Sequence, residues 1–88
     1  MAPKLQSDDF VEHALSRHGD AVFRLALNQL RSAADAQDVV QDTFIRLLTH
    51  ETAFHDENHL RAWLLRVALN RCRDLQRSAK LAAAIWKG

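Results

Sequence analysis

Residues that interrupt regular structure are scarce in this sequence. Its 88 residues include one Pro, two Gly and no Tyr. Since Pro and Gly are the strongest local breakers of helices, their shortage favours a largely helical domain over a strand-rich or disordered chain. Cysteine is equally rare. The single Cys72 excludes an internal disulfide, and the absence of Cys-x-x-Cys pairs excludes a zinc ribbon.

Long apolar runs are also missing, and the first residues, "MAPKLQSDDF", are polar. The sequence therefore predicts neither a membrane span nor a signal peptide, and we expect a cytoplasmic protein. The five His residues do not follow a metalloprotease spacing, so we expect no metal site and no cofactor. No activated nucleophile, catalytic carboxylate pair or Gly-rich phosphate loop is apparent, which predicts a binding protein rather than an enzyme.

Charge is unevenly distributed along the chain, although the formal net charge is only +1. Between residues 35 and 57, six acidic residues stand against one base, Arg46. Between residues 59 and 80, six basic residues stand against one acid, Asp74. Basic segments attract phosphate backbones, whereas an acidic helix face attracts a basic protein surface or stays solvated. This segregation favours two partners of opposite charge.

Apolar residues recur at helical spacing and predict four helical segments. Ser7 is the predicted N-cap of the first segment, and Gly19 is predicted to break or bend it before the second, "DAVFRLALNQLR", continues. The fourth segment is predicted to begin near Asn58, after a loop at residues 49–59 that lacks periodicity. The chain is therefore predicted to be all-α.

The third segment has two distinct faces. Asp35 is its predicted N-cap, with Asp38 in the third-position slot of a capping box. The predicted buried face consists of Ala36, Val40, Thr43, Phe44 and Leu47. On another face, an i, i+3, i+4, i+7 pattern groups Asp38, Gln41, Asp42 and Ile45. This stripe either docks against a partner helix or is a solvated face with one exposed Ile.

The last segment is divided in the same way. Its apolar face comprises Leu60, Trp63, Leu64, Val67, Ala68 and Leu75, with Trp63 predicted to lie in the core. Its polar face comprises Arg66, Asn70, Arg73, Arg77 and Lys80. Such residues contact phosphates and a base edge in some proteins and are simply solvated in others. Phe54, in the preceding loop, either staples that loop to the core or offers a ring face to an unstacked base.

Two blocks of sequence together resemble one known family. The stretch "DAQDVVQDTFIRLL", a loop, and then "LRAWLLRVALNRCRDLQR" are similar to the second domain of bacterial RNA polymerase sigma factors of the extracytoplasmic-function type. The resemblance covers residues 10–80. It implies a compact bundle of three to four helices over residues 1–80. Residues 81–88 would then be a tail or the start of the linker to the family's helix-turn-helix domain.

The resemblance also implies partners and site residues. In the family, the acidic helix docks on the clamp helices of the largest subunit of core RNA polymerase, and the matching positions are Asp38, Gln41, Asp42 and Ile45. The loop and the last helix receive the non-template strand of the promoter −10 element, with one base flipped into a pocket. The matching positions here are Phe54 on the pocket wall, Asn70 as base reader, and Arg66, Arg73 and Arg77 as backbone contacts. An anti-sigma factor is a further possible partner, and a helical protein-interaction module without DNA binding is the alternative function.

Overall fold

The computed structural model describes residues 7–51 and 53–87 of the chain. Over these residues the protein is a bundle of three helices: α1 (Asp8–Leu30), α2 (Ala33–Leu48) and α3 (Glu57–Lys87). No strand occurs in the described ranges. The predicted all-α bundle is thus confirmed, with three helices because the first two predicted segments form one. None of the described helices has the length and apolar character needed to cross a bilayer.

Helix α1 begins as predicted and then continues past its glycine. Ser7 is the N-cap, and its hydroxyl oxygen accepts a hydrogen bond from the backbone N–H of Phe10 at 3.1 Å. The predicted break at Gly19 is wrong, because α1 runs unbroken through this buried residue. The helix ends at Leu30, where Arg31 adopts a left-handed conformation with a φ of 55°. Burial of the helix face outweighs the weak helix propensity of one glycine.

Replacing Gly19 by alanine is expected to stabilise the fold by about 0.5 to 1 kcal/mol, because alanine is the better residue in a helix interior. An added Cβ would lie 3.1 Å from Leu15 Cδ1, the mobile end of a side chain that is 44% exposed and free to shift. Urea unfolding of wild type and Gly19→Ala measures the difference. Gly19→Val is the control, since its further methyl groups should remove the gain. A destabilised Gly19→Ala would mean that Leu15 cannot move.

Helix α2 begins one turn earlier than predicted. Its N-cap is Ser32, whose hydroxyl oxygen accepts a hydrogen bond from the backbone N–H of Asp35 at 3.2 Å. The prediction of Asp35 as N-cap, with Asp38 in the third position, is therefore wrong. Asp35 itself occupies the third position after the cap, where its carboxylate is favourable beside the positive end of the helix dipole. The connection from α1 is consequently a tight turn of only Arg31 and Ser32.

The core lies where one face of each helix meets the other two. Its fully buried members on α2 and α3 include Ala36, Val39, Leu47, Leu60, Leu64, Ala68 and Cys72. The hydroxyl of Thr43 is also buried and donates to the carbonyl of Val39 at 2.7 Å, so it carries no unsatisfied donor. Val39 and Cys72 were not predicted as core residues, whereas Val40 is only partly buried. Burial raises the pKa of the Cys72 thiol.

Helix α3 continues well past the predicted domain boundary at residue 80 and reaches Lys87. Beyond that boundary, Leu81, Ile85 and Trp86 are exposed by 64%, 72% and 91%. The segment predicted to be a linker or tail is therefore helical over residues 81–87, and these large apolar side chains do not contribute to the bundle core.

Candidate functional site

The predicted docking stripe of α2 lies on the outside of the bundle. Asp38, Gln41 and Ile45 are exposed, Ile45 by 56%, and Asp42 is half-buried at the edge of the stripe. The core residues of α2 occupy the opposite side of the helix. Fold stability therefore does not account for three of these four side chains, which leaves them available for a partner.

Asp42 has a partner within the chain that the sequence did not reveal. Its Oδ2 atom accepts a hydrogen bond from Nε of Arg71 on α3 at 2.7 Å, and both side chains are about 40% exposed, 41% for Asp42 and 39% for Arg71. The ion pair joins the stripe to the neighbouring helix. In the sequence, Arg71 was counted only as one base among several. The available signal was helical spacing, since Arg71 lies four residues after Val67 and four before Leu75, which both belong to the predicted apolar face.

Phe54 is the centre of an aromatic cluster at the loop end of the bundle. Its ring stacks on His50 with centroids 4.9 Å apart and meets Trp63 edge to face at 5.5 Å. The ring of His59 lies 5.2 Å away, also edge to face, and Phe10 of α1 lies 6.3 Å away. Phe54 is half-buried and packs against the core. Of its two interpretations, the structure thus shows a loop staple, and contact with an unstacked base stays a prediction.

Trp63 is less buried than the prediction of a core residue implied. Its ring is partly buried, packs against the core and also lies 4.7 Å from the ring of His50. It therefore forms one wall of the aromatic cluster as well as one edge of the core. The sequence did not link His50 to this cluster, because no local periodicity relates a loop histidine to a helix residue.

The loop side of the cluster is ordered by hydrogen bonds at the start of α3. Asp56 directly precedes the helix, and its Oδ1 accepts from the backbone N–H of His59 at 2.8 Å, as an N-cap does. Nδ1 of His59 accepts from the backbone N–H of His55 at 3.0 Å. The neutral His59 ring must then carry its proton on Nε2, which makes Nε2–H a donor for other groups.

The polar face of α3 is exposed as predicted. Arg66, Asn70 and Arg73 are all exposed, whereas the exposed Arg77 forms an ion pair with Asp74 at 2.5 Å. His59, Trp63, Arg66 and Asn70 follow an i, i+4, i+7, i+11 pattern and so lie along one flank of the helix. The aromatic cluster and the predicted base reader are therefore on the same flank, with Asn70 two turns or about 10 Å beyond Trp63.

A second cluster, also absent from the sequence predictions, fixes the first residue of α3. The buried His18 of α1 donates from Nε2 to Oε2 of Glu57 at 2.7 Å. His13 Nε2 lies 3.6 Å from Oε1 of the same carboxylate, and Arg17 Nε lies 4.0 Å from Oε2. Nδ1 of His18 is buried without a hydrogen-bond partner among the described residues. The cluster ties α1 to the end of the loop that carries Phe54.

The pKa of Glu57 lies below its ordinary value of 4.5, first because of the hydrogen bond from His18. Burial acts in the opposite direction, and the charges of Arg17, His18 and His13 lower the pKa further. The unfolded chain therefore takes up a proton at Glu57 at a higher pH than the folded chain. The ionised Glu57 carboxylate therefore stabilises the folded chain. This contribution is complete above pH 4.5 and is lost as the pH falls through the lower pKa that Glu57 has in the folded chain.

Glu57→Gln is expected to flatten the dependence of the free energy of unfolding on pH below the ordinary glutamate pKa, because the variant has no carboxylate to protonate. Urea unfolding of both proteins from about pH 6 to about pH 3 measures this difference. Glu51→Gln, at an exposed loop position, is the matched control and should keep the wild-type slope. Equal slopes for wild type and Glu57→Gln would contradict the assignment.

Among residues 7–51 and 53–87, no three His, Cys, Asp or Glu side chains converge in a metal-binding arrangement. The stripe of α2 offers charge, an amide and an apolar side chain to a partner. The polar face of α3 and the aromatic cluster beside it offer charge, hydrogen bonds and aromatic contact.

The family model for sigma-70 region 2 matches residues 14–81, which include α2, the loop and most of α1 and α3. This chain belongs to that family. The resemblance to sigma factors of the extracytoplasmic-function type is confirmed by the relatives that carry this name or the general name of RNA polymerase sigma factor.

Three relatives illustrate the similarity. The chain is 40% identical over 63 residues to the RNA polymerase sigma factor CnrH of Cupriavidus metallidurans, covering 72% of this chain and 33% of that protein. It is 41% identical over 64 residues to the ECF RNA polymerase sigma factor SigL of Mycobacterium tuberculosis, covering 72% of this chain and 36% of that protein. It is 38% identical over 63 residues to the RNA polymerase sigma factor NccH of Alcaligenes xylosoxydans xylosoxydans, covering 72% of this chain and 34% of that protein. The chain thus spans about a third of the length of these curated relatives. No solved structure matches it.

Proposed function

We propose that this chain is a transcription initiation domain that docks on core RNA polymerase and captures the melted −10 element of a promoter. The observation that carries the proposal is the separation of two surfaces on one small bundle. An acidic stripe with one exposed Ile lies on α2, and a basic face with an aromatic cluster at its start lies on α3. Membership of the sigma-70 region 2 family supports assigning polymerase to the first surface and DNA to the second.

Docking is assigned to Asp38, Gln41, Asp42 and Ile45. Asp38 supplies an exposed negative charge, and Ile45 supplies apolar area that gains free energy when a partner covers it. Complementary charge steers a basic partner helix to this face, while the apolar contact and the amide of Gln41 hold it there. The clamp helices of the largest polymerase subunit are the proposed partner.

DNA capture is assigned to Phe54, Asn70 and the arginines of α3. Flipping one base costs a few kcal/mol of unstacking, which aromatic contact of ~1 to 3 kcal/mol together with hydrogen bonds to the base edge offsets. Phe54 is only half-buried, and we infer that its accessible part forms a wall of the pocket, held in place by the ring contacts with His50 and Trp63. The domain would favour melting by binding the open strand, without covalent chemistry.

The proposal is tested by binding in two stages. The chain should co-elute with core RNA polymerase in gel filtration, and the complex should retain a fluorescent non-template single strand that carries a −10-like element. Polymerase binding without any gain in strand binding would favour the alternative, a protein-interaction module such as a target of an anti-sigma factor. Failure to bind polymerase would contradict the docking assignment.

Asn70→Ala and Arg73→Ala should separate base discrimination from general affinity. Asn70 offers both a donor and an acceptor, so its loss should remove about 1 to 3 kcal/mol of discrimination between bases with little change in salt dependence. Arg73→Ala should weaken binding to all sequences alike and reduce the salt slope by about 0.7, the value for one phosphate contact on a single strand. Titrations of the polymerase complex with −10-like and scrambled strands at several salt concentrations measure both.

Arg77→Ala is the informative comparison, because the charge of the Arg77 guanidinium is already partly neutralised by Asp74 before a phosphate binds. Its salt slope should change less than that of Arg73→Ala. If Asn70→Ala keeps full sequence preference while Arg73→Ala alters it, the base reader lies elsewhere, and the loop residues His55 to His59 are the next to be substituted.

A further inference from the structure

We propose that Arg71 is a positioning residue of the polymerase-docking stripe, although its own helix belongs to the DNA-binding surface. This inference rests on the proposed function of the stripe. Arg71 reaches the stripe from α3 by an ion pair, through its hydrogen bond from Nε to Oδ2 of Asp42. Its neighbour Asn70 is exposed, whereas Arg71 is half-buried beside α2.

The geometry leaves Asp42 able to bind a partner while it is held by Arg71. A carboxylate has about four lone-pair positions, and the bond from Nε occupies one of them on Oδ2. The other oxygen, Oδ1, can therefore accept a hydrogen bond from a donor on polymerase. The hydrogen bond from Arg71 restricts the rotation of the Asp42 carboxylate, so less side-chain entropy would be lost when that donor binds.

A shallow groove beside the stripe gives an incoming side chain access to this carboxylate. It lies between α2 and α3 and is lined by Asp42, Ile45, Arg46, Arg71 and Asp74. Ile45 contributes an exposed apolar side chain to both the stripe and the groove. The docking surface would thus include the flank of α3 that carries Arg71, in addition to α2.

A purely electrostatic role of Asp42 predicts the opposite effect of Arg71 on docking. If Asp42 acted only as a negative charge toward a basic partner, Arg71 would weaken docking by neutralising it. Removing Arg71 would then make the stripe more negative and docking tighter. If Arg71 orients the carboxylate, its removal weakens docking despite the added negative charge, and the change appears mainly in the dissociation rate.

The test compares Arg71→Met with Arg61→Met, an exposed position on the same helix with the same change of charge. Association and dissociation rates with core RNA polymerase are measured for the 88-residue chain at several salt concentrations. Arg71→Met is expected to raise Kd by a factor of about 5 to 30, mainly through faster dissociation. Arg61→Met is expected to bind as wild type does.

A third variant tests whether Arg71 orients the Asp42 carboxylate or only joins α2 to α3. The double substitution Asp42→Arg with Arg71→Asp restores an ion pair between α2 and α3, so the urea midpoint should return toward that of wild type. Docking should stay weak because the stripe has lost its oriented carboxylate. Full docking by this variant, or docking by Arg71→Met as tight as that of wild type, would overturn the inference alone. Failure of wild type to bind polymerase would overturn the proposed function together with it.

Discussion

Asp38→Lys should weaken binding to core RNA polymerase by about 10- to 100-fold while leaving the helices intact. Asp38 is exposed in the middle of α2, so its reversal replaces attraction to a basic helix by repulsion, and the expected loss corresponds to about 1.4 to 2.8 kcal/mol of binding free energy. Lys is also the better residue in a helix interior, so helicity should not fall. Fluorescence titration with labelled polymerase measures the first effect, and far-ultraviolet circular dichroism measures the second.

Reversal of Asp38 is a cleaner test than reversal of Asp42. A lysine at position 42 would face Arg71 and disturb the contact between α2 and α3 as well as docking. Glu12→Lys, at an exposed position of α1, is the matched control for the change in net charge. An equal loss of polymerase binding in Glu12→Lys would mean that overall charge, and not the position of Asp38, causes the effect. A loss of helicity in Asp38→Lys would mean that Asp38 is needed for the fold rather than for docking.

Trp63→Ala should destabilise the fold by about 3 kcal/mol, the low end of the range for a buried tryptophan, because the ring is only partly buried. It should also loosen the loop, since Trp63 contacts both Phe54 and His50. Urea unfolding measures the first effect. Trp63→Phe is the control and should recover part of the loss by refilling the space with a smaller ring. A fully stable Trp63→Ala with impaired strand binding would make the ring a DNA contact rather than a packing residue.

Local patterns explain why the sequence predicted most of the architecture. Periodic apolar residues defined α2 and α3, and a serine before two acids marked the start of α1. The errors also have local causes. Glycine predicts a helix break at position 19, yet burial of this face of α1 keeps the helix continuous. Ser32 and Asp35 are both good caps, and only the tight turn after Arg31 decides between them.

The proposed docking stripe and the basic face could be predicted from the sequence, because the residues of each recur at helical spacing along one helix. The contacts that fix them could not, because they join distant residues. Asp42 and Arg71 are 29 positions apart, and His18 and Glu57 are 39 positions apart. No periodicity within a single helix specifies such a pair. The aromatic cluster was missed for the same reason, since His50 and Trp63 meet only when the loop folds back on α3.

The central claim is that the chain, when docked on polymerase, captures a single strand by reading a base. It is tested most directly by selection from a pool of randomised single-stranded DNA on the complex of the chain with core polymerase. We expect one base position to be strongly enriched by the wild-type complex, and that enrichment to disappear with Asn70→Ala while strand binding persists. The claim would be contradicted if the wild-type complex enriched no base position more than core polymerase alone does. It would also be contradicted if Asn70→Ala left the enrichment unchanged.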